Sequence, residues 1–352
     1  MTRIAAVHGA LAPHRHTQGE ITDMVARTCL PEGADRRLLD RLHRGARVDT
    51  RHMTLPLDQY EALDGFGAAN DVFIRAATEM GTKAVREALR VADLTAADVD
   101  LLIFTSVTGI ATPSIDARLA GRLGLRPDVR RLPLFGLGCA GGAAGLARMH
   151  DYLLGRPDQV AVLLSAELCS LTFQRDDASP ANLVATALFG DGAAAVVACG
   201  ANRPGGAAGP TIVDTRSRLY PDTGRVMGWE IKDSGFQVVL DPEIPDLVRR
   251  HLADDVEGFL GDHGLKPKDV TAWVCHPGGP KVLEAVSEAL DLPAGALDVT
   301  WRHLAEVGNL SSSSVLHVLR DTLATGRPPA GTPGLLLAMG PGFACELVLL
   351  RW

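Results

Sequence analysis

The feature that most constrains this chain is that it repeats itself. Leu94 to Val99 (LTAADV) leads into an apolar run, Leu101 to Phe104, and 171 positions later Leu265 to Val270 (LKPKDV) leads into another, Ala272 to Cys275. Asp151 opens DYLLGRP and Asp321, 170 positions on, opens DTLATGRP. A short apolar strand follows each, Val160 to Leu164 and Leu335 to Ala338. Each stretch then closes with a glycine-bearing loop and a last strand, Phe189 to Gly192 into AAAVVA and Gly342 to Glu346 into LVLL. One offset shared by several elements predicts a duplicated α/β unit. The 352 residues exceed a single ordinary core and divide into halves 1–200 and 201–352, with the Pro-, Gly- and Ala-rich stretch from Gly200 to Pro210 as the join. Apolar runs alternating with amphipathic stretches predict mixed sheets covered by helices, one of them capped by Asn70 and running through Val72, Ala76, Met80 and Ala88.

A net charge of −7 gives no electrostatic reason to expect nucleic acid as partner. The six cysteines are scattered without a CxxC pair, which fits reduced thiols in a cytoplasm. The first residues lack the apolar core of a signal peptide, and no apolar run approaches the ~20 residues of a membrane span, so a soluble cytoplasmic protein is expected.

The duplication bears on chemistry. Cys139 and Asn309 lie 170 positions apart, the repeat offset, and each opens a predicted helix. A pseudo-twofold relation would turn both helix starts toward one pocket. Cys139 follows an apolar stretch ending in glycines, so a strand, a sharp turn and a helix start are expected there. That setting favours a thiolate. The run Gly136 to Gly141 also matches GxGxxG, but no acidic strand end follows about 20 residues on, which argues against a dinucleotide fold. His276, held in CHPGGP at the end of a repeat strand, can take the Cys139 proton or donate to an enolate oxygen. Asn309 can complete an oxyanion hole or merely cap its helix. Arg37, Arg41 and Arg44 fall on one helical face.

Together, GCAGG around Cys139, CHPGGP around His276, GNLSSSSV from Gly308, ALFGDGAAAVV from Ala187 and MGPGFACE from Met339 resemble type III polyketide synthases, the chalcone synthase-like enzymes of the thiolase superfamily. The resemblance runs from about Arg36 to the C-terminus. It implies a thiolase-like, five-layered αβαβα fold of two duplicated halves, a homodimer, and free CoA thioesters as substrates, with no metal and no other cofactor. Cys139 would carry an acyl group from an acyl-CoA starter. His276 and Asn309 would bind malonyl-CoA, promote its decarboxylation and stabilise the enolate that attacks the Cys139 thioester, in repeated rounds that end in cyclisation. Phe189 and Phe236 match the family's two aromatic gatekeepers, Ser311 a cavity-lining serine, and Gly340, Pro341 and Gly342 a wall-shaping loop. Thr112 matches the residue that crosses the dimer interface into the partner's cavity. Arg41 aligns best with the CoA-binding basic residues, with Arg37 and Arg44 beside it. Val107 and Cys169 replace threonines of the plant enzymes, and Met227 stands near a glycine. Bacterial relatives that make naphthalenes from malonyl-CoA alone also carry a cysteine near the Cys169 position. The more apolar wall points to a fatty acyl starter and an alkylresorcinol or alkylpyrone product. The enzymatic alternative is a ketoacyl-ACP synthase III-like condensing enzyme that stops after one extension.

Overall fold

The computed structural model describes residues 1–204, 209–325 and 328–352; residues 205–208 of the join, and Gly326 and Arg327 of the second DTLATGRP repeat, lie outside the described residues. Nine strands form one sheet, ordered Ala272–Cys275, Pro333–Gly340, Ala344–Arg351, Thr211–Leu219, Thr2–Leu11, Asp191–Cys199, Val160–Leu168, Leu101–Thr105 and Arg130–Leu134. The repeat is visible in how they pair. Leu101–Thr105 runs parallel to Val160–Leu168, which runs antiparallel to Asp191–Cys199, which runs antiparallel to Thr2–Leu11. The second set does the same: Ala272–Cys275 parallel to Pro333–Gly340, then antiparallel Ala344–Arg351, then antiparallel Thr211–Leu219. The two sets meet over only two residue pairs, Thr2 with Ile212 and Arg3 with Thr211. Even the turn before the first strand of each set is the same. The Asp98 carboxylate accepts from the Thr95 N–H at 2.8 Å, and Asp269 accepts from the Lys266 N–H at 2.8 Å.

The layers follow from strand alternation. Leu102 and Phe104 face an outer core with the helix Gly65–Val91, while Leu101 and Ile103 face inward. The inner core is built on two helices, Gly141–Gly155 and Ser314–Thr325, which supply Leu146, Met149, Val315 and Leu319 and are flanked by strands of both halves. A third core, with Leu335, Leu337 and Leu347 against the helices Ile244–Gly261 and Pro280–Ala289, closes the other side. Helices, sheet, central helices, sheet and helices make the five αβαβα layers of a thiolase-like fold. Among the described residues no helix is long and apolar enough to cross a membrane.

Asn70 does not cap its helix. The helix begins at Gly65, and the Asn70 side chain instead clasps the Ile110 backbone, donating to its carbonyl and accepting from its N–H, both at 2.9 Å. A tertiary backbone pair has taken the amide that local spacing assigned to a cap.

Candidate active site

Cys139 lies in a single 3-10 turn, Gly138–Ala140, two residues before the central helix Gly141–Gly155. That turn fits because its neighbours lack bulk. A β-carbon on Gly340 would stand 2.5 Å from the Leu137 carbonyl oxygen and 2.7 Å from the Ala140 nitrogen, so the Gly340 loop presses on the nucleophile turn itself. The Cys139 thiol is buried and donates to the Ser311 hydroxyl at 3.7 Å. Burial pushes the thiol up to about 12; the Glu167 charge adds to this, while hydrogen bonds with Ser311 and Asn309 act the other way. Desolvation is the largest of these influences and opposes the thiolate that the helix start favours.

His276 follows the strand Ala272–Cys275, with its backbone N–H donating to the Leu337 carbonyl at 3.0 Å. Burial pulls the imidazole down to about 3, so it is neutral at physiological pH. Neither ring nitrogen bonds to a described group. Asn309 is pinned from the other half: its N–H donates to Leu188 O at 2.8 Å and its carbonyl accepts from Gly190 N–H at 2.9 Å, across an isolated bridge with Phe189. Its Oδ1 accepts from the Ser311 N–H at 2.8 Å, which leaves the amide NH2 for a ligand. Cys139, His276 and Asn309 line one cavity of about 490 Å³. A buried thiol, and an amide and a neutral imidazole on the same wall that can donate to one carbonyl oxygen, suit acyl transfer and enolate stabilisation.

Phe189, Val107, Cys169, Met227, Ser311 and Pro341 line the same cavity. Gly340 and Gly342 flank Pro341 without lining it, and Thr112 is exposed on the surface away from it. Phe236 is not on the wall. It is 2% exposed in an aromatic nest, with its ring 5.2 Å from Phe66, 6.0 Å from Trp229 and 6.4 Å from Phe135. On its strand, Gly235–Leu240, the residues that reach the cavity are Val238, Val239 and Leu240. The hydrophobic demand of that nest has claimed the aromatic side chain.

Of the three arginines on the helix Arg37–Gly45, only Arg41 reaches the cavity. Arg37 is turned to Asp35 in an exposed ion pair, and Arg44 is exposed without touching the cavity wall. Sequence reading missed a second cation on the rim, Lys281, which stands exposed in the first turn of Pro280–Ala289. Its place directly after CHPGGP was the available signal. It also missed Glu167, a fully buried acid behind the nucleophile. Glu167 accepts from Thr108 Oγ1 at 2.9 Å, from Ser106 Oγ and Val107 N–H at 3.1 Å, and from Ser312 Oγ; burial raises its pKa. An acid inside the apolar run VAVLLSAEL was the clue.

Comparison with known proteins agrees with this geometry. The family profile described as chalcone and stilbene synthases, N-terminal domain, matches residues 2–203, and the corresponding C-terminal domain matches 211–352. The chain is 60% identical to a 1,3,6,8-tetrahydroxynaphthalene synthase of Streptomyces peucetius subsp. caesius, over all of this chain and 93% of that protein. It is 38% identical to a putative chalcone synthase of Bacillus subtilis (strain 168), over 90% of this chain and 89% of the relative. The crystal structure of 1,3,6,8-tetrahydroxynaphthalene synthase from Streptomyces coelicolor A3(2), described as a bacterial type III polyketide synthase, superposes with a TM-score of 0.93 at 31% identity, covering 99% of each chain. With matched profiles spanning both halves, the chain belongs to the chalcone and stilbene synthase family and is a type III polyketide synthase, an acyltransferase.

Proposed function

We propose that this enzyme builds a tetrahydroxynaphthalene-type aromatic from malonyl-CoA alone. Cys139 carries the growing chain, while His276 and Asn309 hold each incoming malonyl thioester by its carbonyl oxygen. Decarboxylation leaves an enolate, which those two donors stabilise until its carbon attacks the Cys139 thioester. No base is required for that step, because loss of carbon dioxide generates the carbanion directly. A naphthalene skeleton has ten carbons, and each malonyl unit leaves two after decarboxylation, so five units suffice with no separate starter. The observation that carries the mechanism is the convergence of Cys139, His276 and Asn309 on one cavity of about 490 Å³, within the size range of sites that enclose small molecules. The product class is supported by the full-length identity to a relative named for tetrahydroxynaphthalene.

The fatty acyl starter expected from the apolar wall is the second reading, and Leu188, Val184, Val238 and Leu240 on the cavity wall favour it. Incubation with malonyl-CoA alone, and with added acyl-CoAs, read by mass spectrometry, separates the two. A naphthalene from malonyl-CoA alone supports the first, and product only with a long acyl-CoA supports the second. A single extension, or a strict need for carrier protein, would instead indicate the ketoacyl synthase III-like alternative. The functional form in this proposal is a homodimer. Its support is the exposed Thr112, with Ile110 and Phe135 as exposed apolar side chains that a partner would cover. Light scattering of the purified protein tests it.

A further inference from the structure

Beside the large cavity lies a chamber of about 40 Å³ that shares Cys169, Phe189, Trp229 and Val238 with its wall. Arg51 lines this chamber and is 2% exposed. Its Nη1 donates to the Phe189 carbonyl at 2.8 Å, while Nε and Nη2, both buried, donate to no described group. Asp191 is the carboxylate whose charge reaches Arg51, but its oxygens are occupied elsewhere. Oδ1 accepts from the Ser170 N–H at 2.8 Å; Oδ2 accepts from the Thr54 N–H at 2.7 Å, Thr54 Oγ1 at 2.6 Å and Ser170 Oγ at 2.5 Å. A brace for Phe189 needs one guanidinium donor. Two further donors kept dry and idle are costly unless something accepts from them, and the planar guanidinium fork is shaped for a carboxylate.

We infer that Arg51 is a carboxylate-binding residue, which receives the free carboxylate of a malonyl group carried on Cys139 and thereby lets malonyl-CoA serve as the starter. The inference rests on the malonyl-only reading above. The chemistry of loading is ordinary acyl transfer. The Cys139 sulfur attacks the malonyl thioester carbonyl, the bond from that carbon to the CoA sulfur breaks, and CoA leaves as its thiol with the proton that Cys139 gave up. The malonyl carboxylate takes no part in bond making but must be held somewhere. The walls formed by Leu188, Val238 and Leu240 offer it nothing, whereas Arg51 offers a charge and two N–H groups. The chamber matches the load, since 40 Å³ is about one to two water volumes, enough for a carboxylate but not for a longer branch. Burial pulls Arg51 down to about 9, so the guanidinium stays charged at neutral pH. Cys169 and Phe189 stand on both walls, so the chamber adjoins the cavity that Cys139 lines.

The test compares wild type with Arg51→Met, mixing each with malonyl-CoA or acetyl-CoA and reading the acyl adduct on Cys139 by rapid quench and intact mass. Arg51→Met should slow malonyl loading about tenfold or more relative to acetyl loading, in line with loss of a charge-assisted hydrogen bond, whatever loss of the Phe189 brace does to both. Equal slowing of both, unchanged malonyl loading, or a wild type that takes up no malonyl group would overturn the assignment. Should Arg51→Met fail to fold, Arg51→Lys serves instead: a selective deficit in malonyl loading supports the site, and a deficit shared with acetyl removes it. Turnover is scored separately. A wild type that loads malonyl yet makes no naphthalene from malonyl-CoA alone defeats the proposed product and leaves the Arg51 site standing.

Discussion

Gly142 and Ser312 are in backbone contact across the two halves: a β-carbon on Gly142 would stand 2.2 Å from the Ser312 carbonyl oxygen. Gly142 sits in the first turn behind Cys139, and Ser312 follows Asn309 by three residues, so this contact sets the spacing of the two functional helix starts. Gly142→Ala should therefore destabilise the fold by about 3 kcal/mol or more, through overpacking against backbone that cannot rotate away. Gly121→Ala, inside the helix Ile115–Leu123 with open space around it, should be neutral or stabilise by about 0.5–1 kcal/mol. Chemical denaturation of both variants checks the contrast.

Cys139→Ala should abolish condensation while keeping malonyl-CoA decarboxylation, because His276 and Asn309 still present donors to the thioester oxygen. Asn309→Ala should cut decarboxylation by roughly 10²–10³, the scale of a lost oxyanion donor. Release of carbon dioxide, measured apart from product, checks both. A folded Cys139→Ala protein inert in decarboxylation would contradict this division of labour.

The buried histidines give the fold an acid limit. Burial holds His43, His276 and His303 near 3 and His317 well below its ordinary 6.5. Unfolded, these rings bind protons below about pH 6.5; folded, they do not. More protons are bound in the unfolded state, so stability is present above 6.5 and falls as pH drops from 6.5 toward 3. Glu167 and Asp191, raised by burial, act in the opposite sense. The unfolding midpoint in urea should decline from pH 6.5 to 4.5, and His303→Leu should flatten that decline.

Phe236→Ala should act on stability rather than on starter choice. Removing a ring at 2% exposure from among Phe66, Trp229 and Phe135 costs about 3–5 kcal/mol. Val238→Phe, on the cavity wall, should instead shift the product distribution while melting near wild type. Melting curves and product profiles for the pair would separate the two effects.

Arg41→Ala and Lys281→Ala should each raise KM for CoA thioesters several-fold with little change in kcat, and should weaken its dependence on salt. Arg37→Ala, whose guanidinium is turned to Asp35 outside the cavity, should do neither. Initial rates at two ionic strengths decide this.

The duplicated architecture was legible because burial imposes the same apolar spacing on both halves, and the equal offset of Cys139 and Asn309 already suggested that they meet. What periodicity could not supply was the direction of single side chains. Phe236 and Val238 share a strand, and which one meets the cavity depends on Phe66, a residue 170 positions away. Asn70 looked like a cap because its tertiary partner, the Ile110 backbone, has no local signature. Arg51 and Glu167 escaped notice for a related reason: composition marks charged residues as surface, and only the fold shows them enclosed.

The two sets of strands meet over only two residue pairs, and this bears on how the protein is made. Synthesis delivers Cys139 with its own half, while the segment that covers it, from His276 to Ser312, emerges later. At about 5–20 residues per second, the 170 residues between Cys139 and Asn309 take roughly 10–30 s to appear. The chain that will carry a buried thiol thus begins its existence with that thiol bare. Closure of the second half ends the exposure and creates the cavity in the same event, so the enzyme acquires its protection and its activity together.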